Sequence, residues 1–301
     1  MLYTVEKDQD GVRLRTLLSR RLHCSAELLK ELKRSETGVL VDGKPRFMRD
    51  PVRAGERVFV DCDRETKNAD LLPDDLGIRI LYEDGALLLF EKPAGIPTHP
   101  SRGHPRGTLA NGAAFLFAAR GEPFVFRPIT RLDTDVSGAV LCAKTKYAAS
   151  LLSSRIAAGQ IEKTYLAVTD GAPENDAGRI EGTIRRAEGE GGIRRVFSSS
   201  ADGGRYARTD YKVLARDGRG ALLCVFPRTG RTHQIRVSLA AIGCPIAGDG
   251  FYGNGNTASR CMLHAYGIRF SHPLTGEEIA AVCPPEKRLA KEIQERFGIV
   301  L

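Results

Sequence analysis

Pro128-Ile129-Thr130-Arg131-Leu132-Asp133-Thr134-Asp135-Val136-Ser137-Gly138 is a short polar stretch set between two apolar runs. Phe124-Val125-Phe126 precedes it, and Ala139-Val140-Leu141-Cys142-Ala143 follows as a buried strand. The insert is therefore expected on a loop fixed by two strands, where a rigid scaffold presents reactive groups. Taken alone, Asp133 reads first as a turn former, because Asp and Ser-Gly are both turn chemistry.

The wider context changes that reading. Arg131-Leu132-Asp133 followed by Ser137-Gly138 resembles the H-R-L-D-x-x-T-S-G signature of the RluA family of RNA pseudouridine synthases, in which the Asp is catalytic. Glu162-Lys163-Thr164-Tyr165 and Thr229-Gly230-Arg231-Thr232-His233-Gln234-Ile235-Arg236-Val237 match in the family's order and rough spacing. Smaller echoes are Glu91-Lys92-Pro93-Ala94-Gly95, Gly248-Asp249-Gly250-Phe251-Tyr252-Gly253 and Leu263-His264-Ala265.

The resemblance implies roles residue by residue. Asp133 is the catalytic nucleophile or base. Tyr165 stacks on the target base and helps move the proton from carbon five, where a lone strand Tyr would otherwise be half-buried packing. Arg236 forms the ion pair with the catalytic Asp, which keeps a partly buried carboxylate charged and oriented. Arg131 enters the gap left in the RNA stack, and Arg231, His233 and Leu132 join it in binding substrate. The implied fold is α+β: a mixed, largely antiparallel sheet with helices and loops around a central cleft.

Composition sets the outer limits. The chain has 301 residues, 42% of them hydrophobic, enough for a large core and a small one. Its 45 basic against 37 acidic residues favour a polyanionic partner. Seven Cys without a C-x-x-C pair indicate neither a disulfide framework nor a zinc site, which fits a reducing cytoplasm. No apolar run has the length of a membrane span, and the first residues lack the order of a signal peptide.

Residues 1–60 read as a separate small domain. Leu14, Leu17, Leu18 and Leu22 recur at helical spacing, and Ser25 can cap a second helix carrying Leu28, Leu29 and Leu32. Val39-Leu40-Val41 then runs into Asp42-Gly43, a hairpin signal, and Val58-Phe59-Val60 closes the segment. The pattern from Arg13-Leu14-Arg15 to Val41-Asp42-Gly43 resembles the α-L RNA-binding module of ribosomal-protein type. Arg13, Arg20, Arg21, Lys30, Lys33 and Arg34 stand where they could meet phosphates, with an ordinary solvated surface as the alternative. Residues 61–77 are acidic and read as a linker.

Residues 78–301 form the expected catalytic domain. Strands are expected at Ile78-Arg79-Ile80-Leu81 and Ala86-Leu87-Leu88-Leu89-Phe90, around a turn at Asp84-Gly85. His99 and His104 lie in a proline-rich loop with no third ligand, which reads as substrate-facing rather than metal-binding. Tyr147, Leu151, Leu152 and Ile156 mark a helix ended by Gly159, and Lys163 to Val168 the next strand. Residues 185–206 read as a flexible surface excursion whose Arg185, Arg186, Arg194 and Arg195 either touch the RNA backbone or are merely solvated. Strands at 209–214 and 221–226 pair across Asp217-Gly218, and a helix follows with Ile235, Leu239 and Ile242 as its buried stripe.

The expected activity is isomerisation of uridine to pseudouridine in structured RNA, by a cytoplasmic monomer with no cofactor and no metal. Ribosomal RNA is the favoured substrate and transfer RNA the second choice. Three positions depart from the family pattern: Thr130 replaces His, Val136 replaces Thr, and Ser238 stands where a His often ends the third motif. They leave open an RNA-binding clamp with weak or lost catalysis. A glycosidase using Asp133 and Asp135 ranks last, since two carboxylates two apart on one loop poorly flank a glycosidic bond.

Overall fold

The computed structural model describes residues 1–61, 71–101, 104–188, 193–200, 203–253 and 258–301. A strand at the very start, β1 (Leu2–Thr4), leads to α1 (Leu14–Thr16), which continues as a π-helical turn over Leu17–Arg21. The widened turn still buries Leu14, Leu17, Leu18 and Leu22. Ser25 Oγ accepts a hydrogen bond of 3.2 Å from the Leu28 amide and so caps α2 (Ala26–Leu32), whose Leu28, Leu29 and Leu32 are buried. β2 (Val39–Val41) and β3 (Lys44–Pro45) are joined through Asp42 and Gly43, both at positive φ, the backbone a tight two-residue hairpin requires. With β4 (Arg57–Val60) these strands form an antiparallel sheet in the order β1-β4-β2-β3.

The second sheet begins with β5 (Arg79–Glu83) and β6 (Leu87–Lys92). Their turn is held by Asp84, whose Oδ1 accepts from the amides of Ala86 and Leu87 at 2.7 Å each. Next comes α3 (Leu109–Ala119), capped reciprocally by Thr108 and Asn111; its apolar sequence shows little periodicity, so no helix was expected there from pattern alone. β7 (Ser137–Ala143) follows the polar loop and is buried along its whole length. α4 (Lys146–Ala157) leads into β8 (Glu162–Asp170), β9 (Ala177–Arg186), β10 (Arg195–Ser198), β11 (Arg205–Arg216) and β12 (Gly220–Pro227). After α5 (Gln234–Ala241) come β13 (Leu263–Ser271), β14 (Glu278–Val282) and α6 (Lys287–Phe297). Among the described residues no helix is long and apolar enough to cross a membrane.

The strands order as β10-β9-β11-β12-β8-β13-β7-β6-β5, and β14 pairs with the later half of β13. All neighbours are antiparallel except β13 and β7, which pair in parallel through His264 with Ser137 and Ala265 with Gly138. That junction explains the Ser-Gly that ends the polar stretch. Gly138 has φ 121°, and a Cβ there would lie 2.4 Å from the Ala265 carbonyl oxygen, so only glycine admits this approach.

Three expectations change. Phe124-Val125-Phe126 is not a strand; Phe124 stacks on Phe117 at 4.3 Å between ring centroids and packs with Phe90 and Phe126. The loop entry is instead tied to one strand, with the amides of Ile129 and Thr130 donating to the Leu141 carbonyl. Ile242 is 40% exposed rather than part of a buried stripe, because the helix ends at Ala241. Within 185–206, β9 and β10 pair from Thr183 with Ser198 to Arg186 with Arg195, so that part is sheet rather than a loop; residues 189–192 and 201–202 lie outside the described residues.

Of the expected linker, residues 62–70 lie outside the described residues, while Leu72 and Asp74 are held against the start of α3 by Asn111 Nδ2 and the Gly107 amide. The small sheet's core does not stop at its own residues. Tyr147 and Leu151 of α4 are buried in the same cluster as Leu28, Leu29 and Val58, and Lys146 pairs with Glu31. Burying such side chains stabilises by roughly 1.5–3 kcal/mol each, which fastens the N-terminal unit to the helix that follows β7.

Candidate active site

Leu132 and Val136 are 7% and 2% exposed and belong to the large core cluster with Phe90, Val225 and Ile235. They pin both ends of a short turn, and the Val136 amide donates to the Asp133 carbonyl at 3.2 Å. Asp133 is thereby lifted between two buried anchors, its side chain 27% exposed.

Arg236 faces it from α5. Its Nη1 donates to Asp133 Oδ2 at 3.2 Å, while Nε and Nη2 each donate at 2.7 Å to the two oxygens of Asp249. Arg236 is 2% exposed and Asp249 fully buried. Burial opposes the charge of both, yet their mutual contact more than offsets it: the guanidinium stays protonated. Hydrogen bonds from Arg236 and from the amides of Phe251 and Tyr252 hold the Asp249 carboxyl below the usual carboxylate range. The rings of Phe251 and Tyr252 lie 5.3 and 5.6 Å from the guanidinium and complete its enclosure.

His233 caps the start of α5 in a left-handed conformation, φ 56°, and directs its Nε2 to within 3.8 Å of Asp133 Oδ2. Its Nδ1 is 2.8 Å from the Tyr252 hydroxyl, which also accepts from the Arg195 amide at 2.8 Å. Burial pushes His233 below its ordinary value, with Asp133 opposing and Arg236 reinforcing, so the ring is neutral at neutral pH. Tyr165, on β8, packs against the core; burial first and the charge of Asp133 second push its phenol well above the usual tyrosine range. The phenol therefore stays protonated and able to donate.

Lys92, at the end of β6, holds the far side of the turn. It is fully buried, and its Nζ donates to the carbonyls of Ile96, Pro93 and Thr134 at 2.7, 2.8 and 3.1 Å. These contacts use all three protons of the charged amine. Burial pushes Lys92 down to about 7, against the opposing pull of Asp133 and Asp135.

The structure thus brings Asp133, Tyr165, His233 and Arg236 together. Arg131 is exposed beside them, and Arg231 is half-buried with its Nε donating to the Tyr206 carbonyl at 2.9 Å. Leu132, expected among the substrate-binding residues, has its side chain in the core, because neighbours on this turn point to opposite sides and Arg131 and Asp133 take the open one. The sequence assigns no role to Asp249 or Lys92, although both stand in the short motif echoes; for Asp249 the available signal is a charged residue amid Gly and aromatics, and for Lys92 a charged residue closing an apolar strand. At the departing positions, Thr130 Oγ1 accepts from the Leu141 amide at 2.9 Å and Val136 fills core space. Ser238 Oγ is buried and has no partner among the described residues.

A carboxylate, a fixed guanidinium and a protonated phenol brought together suit nucleophilic or general-base chemistry with proton transfer nearby. Residues 86–241 match the family described as RNA pseudouridylate synthase. The chain is 35% identical over 283 residues to the uncharacterized RNA pseudouridine synthase YhcT of Bacillus subtilis, covering 93% of this chain and 92% of the relative. It is 36% identical over 297 residues to the ribosomal large subunit pseudouridine synthase D of Xanthomonas campestris pv. campestris, covering 90% and 87%. Among solved structures, human RNA pseudouridylate synthase domain containing 1 aligns with a TM-score of 0.58 and 28% identity, over 69% of this chain and 83% of that one.

Proposed function

The chain belongs to the RNA pseudouridylate synthase family and is an isomerase acting on RNA, and from that premise we propose that Asp133 is its catalytic carboxylate and structured ribosomal RNA its substrate. The observation that carries the reading is the 3.2 Å contact of Arg236 with Asp133, made by a buried guanidinium already anchored elsewhere. It fixes the direction of the Asp133 carboxyl towards the open face.

In the proposed reaction the bond from the ribose anomeric carbon to N1 of uracil breaks. Asp133 either adds to that carbon or removes the neighbouring proton of the sugar. The detached uracil turns within the pocket and carbon five bonds to the anomeric carbon, as the bond from Asp133 to that carbon breaks or as Asp133 returns the proton to the sugar; the proton on carbon five then departs while N1 gains one. Atoms balance without oxidation or a second substrate. Tyr165 supplies a stacking face and a proton route, and Arg131 fills the space the nucleotide leaves when extruded.

Ribosomal RNA is favoured by the names of several relatives, ribosomal large subunit pseudouridine synthases, and by the net charge of +8. The N-terminal unit is read as an α-L RNA-binding domain: Arg13, Arg20, Lys30, Lys33 and Arg34 lie on its surface, while Arg21 pairs with Glu6 at 3.1 Å. The test is site-resolved pseudouridine mapping of cellular RNA with and without this protein. Loss of one or a few ribosomal sites is expected. Unchanged maps would sink the proposal, and losses confined to transfer RNA would overturn the choice of substrate.

A further inference from the structure

A recess opens beside Arg131. Thr98, 3% exposed, clasps the segment 96–100 to the polar loop: its Oγ1 donates to the Leu132 carbonyl at 2.8 Å and accepts from the Leu132 amide at 3.1 Å. Clasping residue 98 to residue 132 sets the adjacent residues, His99 and Arg131, beside one another. Together with Pro100, Phe126 and Pro128 they line a cavity of about 380 Å³, within the range of roughly 300–1,000 Å³ usual for small-ligand sites.

The walls are mainly hydrocarbon and ring, with two planar polar groups, an imidazole and a guanidinium, among them. Phe126 is fixed by contact with Phe90 and Phe124, so that wall is preformed. Although His99 keeps part of its surface open, its partial burial first and the charge of Arg131 second push it below its ordinary value, which leaves its ring neutral and able to stack. Among the described residues no carboxylate lines the cavity to pair with a cation. This chemistry suits a flat, weakly polar heterocycle better than a phosphate or an ammonium group.

Position narrows the occupant further. Arg131 and Asp133 stand two residues apart on the open side of the turn, which limits their separation along the chain to roughly 7 Å. A nucleotide seated at Asp133 therefore has its immediate neighbour, rather than a distant base, within reach of Arg131 and His99. We propose that this cavity is a second base-binding site, in which His99 and Phe126 hold the unstacked nucleobase next to the target uridine and Arg131 stands between the two nucleotides. The inference rests on the RNA reading above and makes His99 a determinant of sequence context: a base that fills the cavity favours modification of its neighbour.

The test uses binding, so that it stands apart from catalysis. The full chain carrying Asp133→Asn is titrated with two single-stranded RNA pentamers, each with one central uridine and with 2-aminopurine on its 5′ or its 3′ side. Fluorescence of 2-aminopurine falls when the base stacks on a ring. We expect quenching with one of the two pentamers. Adding His99→Ala should weaken that pentamer's binding roughly five- to a hundredfold, the range for loss of one stacked base, and should leave the other within about twofold. His99→Phe should restore quenching. His99 is exposed, and matched melting temperatures check that the variants fold. Absence of quenching with both pentamers, or equal quenching and affinity with and without His99, would overturn the proposal. Failure of the functional reading shows itself separately, as unchanged pseudouridine maps.

Discussion

Asp249 holds Arg236 through two hydrogen bonds of 2.7 Å and leaves only Nη1 to reach Asp133, at 3.2 Å. The shorter, bidentate contact is the structural one and the longer, single contact faces the open site. A buried guanidinium that depended on Asp133 alone would follow every movement of that loop. Anchored at Asp249, it presents a fixed positive charge.

Replacing Asp249 should therefore cost stability. Asp249→Asn leaves Arg236 charged and buried with only its single, longer contact to Asp133, with an expected loss of about 3–5 kcal/mol. The pH dependence follows from the depressed carboxyl: its stabilisation is complete above the ordinary value of 3.8 and is lost as pH falls through the lower folded value. The gap in melting temperature between parent and variant should be constant from about pH 5 to 7 and close below about pH 4. A gap that persists undiminished in strong acid would contradict the stabilising role of the ionised carboxyl.

Arg236→Lys separates charge from geometry. Lysine can approach one carboxylate but cannot span Asp249 with two parallel bonds and still face Asp133. RNA affinity should change little, while turnover falls about tenfold or more, as for removal of one oriented charge interaction. Retained turnover would show that orientation by Arg236 is dispensable.

Lys92→Met keeps bulk and removes three donors. The carbonyls of Pro93, Ile96 and Thr134 are left without this partner, at about 1–3 kcal/mol for each that stays buried and unpaired. Chemical denaturation should show a clear loss of stability. Because Thr134 adjoins Asp133, turnover should fall more than RNA binding. Unchanged denaturation midpoints would refute the clamp.

How far all this was legible in the sequence differs by residue. Ser25, Asp42-Gly43 and Gly159 act locally, so capping and turn chemistry found their elements. Asp133 and Arg236 were paired through motif resemblance alone. No periodicity links a loop carboxylate to a helix guanidinium 103 residues away. Asp249 escaped for the same reason: its Gly and aromatic neighbours mark it out locally, but nothing local names Arg236 as its partner. Phe124-Val125-Phe126 reads as a strand by composition, yet α3 offers those rings a better partner in Phe117. The sharing of Tyr147 and Leu151 between α4 and the N-terminal core was equally hidden, since helical spacing says which face is buried and not against what.

That shared core governs how the N-terminal unit must be tested. Deleting residues 1–60 would expose Tyr147 and Leu151 and confuse instability with weakened binding. The full chain with Lys30→Gln, Lys33→Gln and Arg34→Gln avoids this, since all three side chains are exposed. If they meet phosphates, RNA affinity should drop and the slope of log affinity against log salt should shrink by about 0.7–0.9 for every phosphate no longer neutralised. An unchanged slope would refute phosphate binding by these residues.

Arg131→Ala should act through presentation of the target. If the exposed guanidinium fills the gap left by an extruded nucleotide, the defect should be larger on a folded stem-loop than on a flexible single strand. Equal losses on both would instead point to a direct part in the chemistry.

Asp133→Asn bears most directly on the central claim. The substitution nearly preserves shape and leaves the buried Arg236–Asp249 pair in place, while removing the carboxylate proposed to attack the sugar or take its proton. Pseudouridine formed in the protein's RNA substrate should be measured by mass spectrometry, with deamidation of the variant excluded in the same samples. The predicted result is a folded protein that binds RNA about as well as the parent and forms no detectable pseudouridine. Product at a measurable rate would contradict a catalytic Asp133.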